Sequence, residues 1–123
     1  MAFLLDPRIV RLTRLGFWLA LIFACTMAVL PMPPHMPVDS LGDKFEHMLA
    51  FFTLSTLAML GYGRAARWRI IERLAFLGAM IELVQSIPAL HRDCDIKDWV
   101  ADSIAILIGV VIAGWVIPKR QDS

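Results

Sequence analysis

The sequence predicts an all-α membrane protein, a four-transmembrane-helix bundle with both termini cytoplasmic. Three observations predict it. Of the 123 residues, 59% are hydrophobic and only 19% charged, and the mean hydropathy is +0.67. Soluble domains hold about 45–50% apolar residues, so this chain has too little polar material to coat a soluble surface. The apolar residues gather into four runs, each close to the roughly 20 residues that cross about 30 Å of hydrocarbon. Finally, the charges are sorted between the two sets of run ends.

The runs are taken in order, as one domain over residues 1–123 with spans at about 12–30, 45–62, 70–90 and 99–117. Leu15 to Leu30 carries no charge and ends at Pro31-Met32-Pro33-Pro34. It extends backward over Arg11 and Arg14 if the arginines reach out to the interface. Phe45 to Tyr62 carries Glu46 and His47 at its start. Ile70 to Leu90 carries Glu72 and Arg73 at its start and Glu82 inside. Trp99 to Ile117 carries Asp102 and stops at Pro118. No alternating strand pattern competes, and in lipid only helices or closed barrels satisfy their own backbone.

Charge sorting sets the orientation. One group of ends holds Arg8, Arg11, Arg14, Arg64, Arg67, Arg69, Arg73, Lys119 and Arg120 against Asp6, Glu72 and Asp122. The other holds Lys44, Arg92 and Lys97 against Asp39, Asp43, Glu46, Glu82, Asp93, Asp95, Asp98 and Asp102. The excess of basic residues on cytoplasmic loops puts both termini and the 64–69 loop inside, and loops 31–44 and 91–98 outside. The net charge of +1 says little by comparison.

Other readings are weaker. Arginines before an apolar run resemble a secretory signal, and Ile22-Phe23-Ala24-Cys25 hints at a lipoprotein cleavage box. Phe before Ala fits that box poorly and the run continues to Leu30, so the segment is expected to stay as a span. Cys25 and Cys94 lie in unlike surroundings, with no CxxC pair, and form neither a disulfide framework nor a zinc motif. The arginines of the 64–69 loop set topology and meet anionic lipid; beside two spans they make no nucleic-acid surface. Trp68, Trp99 and Trp115 stand near span ends, where interfacial anchors belong.

The candidate site lies on the outer side. Asp43 and His47 are four apart and share a face of the second helix. Glu82 and Gln85 share a face of the third. Asp95, Asp98 and Asp102 form a stripe on the fourth, with Arg92 before it. A carboxylate facing lipid costs several kcal/mol, so these faces are expected to turn toward each other. They should line a polar pocket open outward and closed inward by apolar side chains. Counted from Leu90, Glu82 lies about 12 Å deep, and His47 and Asp102 only about 3–5 Å.

These residues also carry a family likeness. Asp43-Lys44-Phe45-Glu46-His47 reads D-K-x-x-H at a span start, followed by Phe51-Phe52. Glu82-Leu83-Val84-Gln85 reads E-x-x-Q in the third span. Arg92 precedes Asp98, which opens the fourth, with Asp102 four residues on. In this order, from about Gly42 to Gly109, the motifs resemble the VanZ-like family of small bacterial membrane proteins, named for a member linked to teicoplanin resistance. Two positions depart from the pattern: Asp102 stands where the family usually has Asn, and Ala105 where it often has Gly. The resemblance implies a multi-pass protein of the bacterial cytoplasmic membrane and cell envelope, related to glycopeptide-antibiotic resistance; it supplies no reaction.

Two functions follow as expectations. In the first, Asp43, Lys44, His47, Glu82, Gln85, Arg92, Asp98 and Asp102 bind a ligand: a membrane-lipid headgroup, a lipid-linked molecule or an envelope-active glycopeptide. In the second, Glu82 or His47 serves as general acid or base on an outer-leaflet lipid-linked substrate. No sequence-adjacent nucleophile and base stand out around Ser86 or Cys94, which favours binding over catalysis. His47 is by type also a metal ligand or a hydrogen-bond donor to a neighbouring span, but no cofactor or metal is expected. Asp93, Asp95, Asp98 and Asp102 lack the glycine and closing glutamate of an EF-hand, and Arg92 and Lys97 interrupt them. Acids at a positive helix N-terminus explain them instead.

Overall fold

The computed structural model describes residues 2–29, 40–86 and 96–118. Four helices account for most of them: α1 (Pro7–Val29), α2 (Ser40–Tyr62), α3 (Arg67–Gln85) and α4 (Ile96–Val116). Short 3-10 turns occupy Ala2–Leu5 and Arg64–Ala66, and no strand occurs among the described residues. Helices α1 (Pro7–Ala28) and α4 (Ile96–Val116) are each long and apolar enough to cross a membrane.

Helix starts follow local chemistry. The Asp6 carboxylate accepts the Arg8 amide at 2.8 Å, and Pro7 takes the first helical position, where its missing N–H leaves nothing unsatisfied. Helix α1 therefore begins five residues before the span expected at 12–30. Helices α2 and α4 also begin early, at Ser40 and Ile96, because their polar first turns are helical and lie outside the apolar runs. Helix α3 stops at Gln85, five residues short of the expected Leu90. There Ser86 turns its amide onto the carbonyls of Glu82 and Leu83 at 3.1 and 3.2 Å. In the sequence Pro88 follows two residues on, and proline disfavours helix in the residue before it.

One face of each helix is buried, at helical spacing. Phe51, Leu54, Ser55, Ala58 and Met59 supply it on α2, and Ile70, Leu74 and Ile81 on α3. On α4 the buried set is Asp102, Ala105, Ile106, Gly109, Val110 and Ala113. The α2–α4 pairing is the most extensive contact between helices, with α1 on α2 and α3 on α4. Ala105, Gly109 and Ala113 recur every four residues, a small-residue face that lets two backbones approach closely. At Gly109 the approach is closest: a Cβ there would collide with the Ser55 hydroxyl and lie 2.9 Å from the Phe52 carbonyl oxygen.

The end of the structure holding the start of α1, the end of α2 and the end of α4 is tied by arginines. Arg14 Nε donates to the Gly61 carbonyl at 2.7 Å, and its guanidinium stacks 4.6 Å from the Tyr62 ring centroid. The Tyr62 hydroxyl meets Trp18 Nε1 at 2.8 Å. Arg64 donates to the carbonyls of Gly114 and Ile117, which the last turn of α4 leaves without helical partners. Gly63, at φ 86°, makes the turn that delivers Arg64 there. Trp115 is 81% exposed and Trp68 68%. Trp99 is different. It is half-buried, and its Nε1 donates across to the Ala75 carbonyl of α3 at 2.9 Å.

Gly109→Ala should lower stability by about 1–3 kcal/mol through overpacking. Adding Ser55→Ala should restore part of the loss, since it removes the nearer obstacle. Unfolding of the purified chain in detergent measures both; an unchanged midpoint for Gly109→Ala would contradict the α2–α4 contact.

Candidate functional site

The Gly109 contact fixes the register of the site. Helices α2 and α4 run parallel, so equal steps from the contact stay level. Eight residues before Ser55 on α2 stands His47, and seven before Gly109 on α4 stands Asp102. At 1.5 Å per residue both lie about 10–12 Å from the contact. Helix α3 runs the other way and brings Glu82, near its end, to the same level. As a result, ligand atoms of His47, Glu82 and Asp102 all lie within 4.8 Å of one another.

Each of the three comes from a different helix. Asp102 is 2% exposed and Glu82 7%, and Oδ1 of the one and Oε1 of the other are shut off from the surface. His47 is half-buried and is the most accessible member. One turn deeper on the three helices come Phe51, Gly78 and Ile106, all buried. A Cβ on Gly78 would sit 3.3 Å from Trp99 Cδ1 and 3.5 Å from Phe51 Cζ, so two aromatic rings close the floor between α2, α3 and α4.

Depth differs from the sequence estimate. With α3 ending at Gln85, Glu82 is only about 4–5 Å from its helix end. His47 and Asp102, in helices that begin early, are about 9–10 Å from theirs. The depth difference counted from the apolar-run ends is therefore not found: the three groups meet at one level.

The electrostatics of the cluster are demanding. Two ionised carboxylates within 4.8 Å of each other repel by at least roughly 3–4 kcal/mol at an effective dielectric of about 20, and each carries a desolvation penalty as well, so their surroundings have to compensate them. His47 lies beside both, and Lys44, Arg92 and Lys97 are the basic residues that the sequence places at the same helix ends. Arg92 lies outside the described residues, as do the side chains of Asp43, Lys44 and Gln85; the backbones of these last three are helical. Asp98, half-buried, is in the first turn of α4, one turn before Asp102 on the same face and near the positive helix end.

Among the serines near the cluster, hydroxyls are directed to backbone. Ser55, fully buried, donates to the Phe52 carbonyl at 3.0 Å, Ser86 to Leu83, and Ser103 to Trp99. None is set up beside a base as a nucleophile. What the three-residue cluster offers chemically is proton acceptance, proton transfer and ligation through two oxygens and one imidazole nitrogen. Sequence reasoning placed these residues in one leaflet and weighed metal ligation for His47 by itself and for the acids near the start of α4, but not for the three together. The mixed His-Glu-Asp set escaped it because its members are distant in sequence and no local spacing marks them.

Comparison of the chain with protein-family models, with curated proteins and with solved structures gave no match.

If the three groups share one site, Glu82→Gln and Asp102→Asn should be non-additive. Their double-mutant cycle in detergent unfolding should show a coupling of about 0.5–3 kcal/mol. Additivity to within about 0.3 kcal/mol would mean that the carboxylates do not interact.

Proposed function

We propose that the chain is a VanZ-like protein of the bacterial cytoplasmic membrane, with four spans, both termini inside, and an outer-leaflet polar site that binds the headgroup of a lipid or lipid-linked molecule. The observation that carries the reading is the convergence of His47, Glu82 and Asp102 at the end of the helices opposite the arginines. Buried ionisable groups in a membrane protein are costly and mark sites of function. Two carboxylates and an imidazole accept hydrogen bonds, so the fitting headgroup is rich in donors: sugar hydroxyls or an amine. Glycopeptide antibiotics share that chemistry, which keeps the resistance-related role within the same reading.

Support for four spans comes from the outward faces. Leu15, Leu19 and Phe23 on α1, Phe45 and Leu49 on α2, Phe76 and Leu83 on α3, and Leu107 and Val111 on α4 are all exposed. Apolar cover on every helix is expensive in water and natural in lipid. The exposed hydroxyls of Thr26 and Thr53 donate to carbonyls of their own helices, Ile22 and Leu49, at 2.8 Å, as hydroxyls do where water is absent. The arginine-tied end opposite the site agrees with a cytoplasmic location for it.

The same proximity supports a second reading, a membrane enzyme in which Glu82 and His47 exchange a proton with a water that attacks a lipid-linked substrate. Glu82→Gln separates the two. The variant should abolish lipid turnover by the purified chain if the site is catalytic and leave any turnover unchanged if it is not.

Lipids that co-purify with the wild-type chain should be enriched in a donor-rich headgroup class relative to the source membrane. Enrichment should disappear in Asp102→Asn, as lipid mass spectrometry would read. An unselective lipid profile in the wild type counts against the binding reading. Reporter fusions after Ser123 should report a cytoplasmic C-terminus; an external signal would overturn the topology.

A further inference from the structure

We infer that His47, Glu82 and Asp102 form a site for one divalent transition-metal ion, with Zn²⁺ the ion that the donors fit best. The inference goes beyond headgroup binding and does not depend on it.

The donor types point to the ion. Imidazole nitrogen with carboxylate oxygen is a Zn²⁺ ligand set, whereas Ca²⁺ takes six to eight oxygens and Mg²⁺ an octahedral oxygen shell. The spacing agrees. Atoms bound about 2.0–2.2 Å from a tetrahedral Zn²⁺ lie about 3–4 Å from one another. The three ligand atoms here already fall within 4.8 Å, so small side-chain rotations close the shell.

Charge agrees as well: two ionised carboxylates match the charge of a 2+ ion. The architecture completes the case. The ligands come from α2, α3 and α4, one each, and their helices are held in register by the Gly109 contact and by the Trp99–Ala75 hydrogen bond. A preformed cage of this kind lowers the ordering cost of binding. Three protein ligands leave a fourth position free for water or for an oxygen of a bound molecule, the pattern of open rather than purely structural zinc sites. His47, the most accessible member, places that position toward the surface.

The test uses the full chain in detergent, stripped with a chelator. Zn²⁺ is titrated by calorimetry, and Co²⁺ is followed by its visible d–d absorption. The expected result is one equivalent of either ion, with the Co²⁺ spectrum of a nitrogen- and oxygen-ligated low-coordinate site. His47→Ala and Asp102→Asn should weaken binding by more than the about 10–100-fold that loss of even an outer-shell partner costs. Glu72→Gln, an exposed acid on α3 far from the cluster, should bind as the wild type does. A wild-type chain that binds neither ion at one equivalent overturns the inference, whatever the variants do. Equal affinity in His47→Ala also overturns it and assigns the ion to surface acids. Lipid enrichment measured on the stripped chain is a separate readout, so the metal site and the headgroup reading fail independently.

Discussion

The close approach of α2 and α4 at Gly109 is the constraint on which the site depends. Two parallel helices can meet this tightly only where one lacks a side chain, and the contact then sets their relative height. From that point, two turns along each helix lead to His47 and Asp102. A slip of one residue would move each side chain by about 100° around its axis and send one of them toward the outer surface. The small-residue face of α4 thus governs chemistry two turns away. Ala105, which lies between Asp102 and Gly109 on that face, is buried with them.

The two ends of the molecule use different physics. At one, arginines reach backbone carbonyls that helix ends leave open, and an aromatic cluster of Phe17, Trp18 and Tyr62 packs around them. The arginine contacts are cation to carbonyl or ring, and with the aromatic cluster they tie together the start of α1 and the ends of α2 and α4. At the other, two acids and a histidine converge from three helices. The first arrangement is a means of fastening; the second gathers proton-accepting and ligating groups in one place.

Trp99 joins the packing to the site. Its position near a helix start suggested a lipid-facing anchor, yet its indole lies against Gly78 and bonds α3. Composition and position along the chain were equally compatible with either orientation. The difference is one of rotation about the α4 axis, and rotation is decided by the partners that the helix meets.

The sequence by itself determined that the chain is helical and apolar, with the basic residues segregated from the acidic ones, because these properties depend on composition and local order alone. It also indicated Asp43, His47, Glu82, Gln85, Asp98 and Asp102 as residues toward the same ends of their helices, since helical spacing and the order of charges follow from counting. Helix ends were less legible: Asp6 at the start of α1 and Ser86 at the end of α3 make local contacts that an apolar run does not register. Only the tertiary structure decided that His47, Glu82 and Asp102, out of that longer set, meet within 4.8 Å. Which charges converge depends on the register between helices. That register is set by steric contacts such as Gly109 against Ser55, made between residues far apart in the chain.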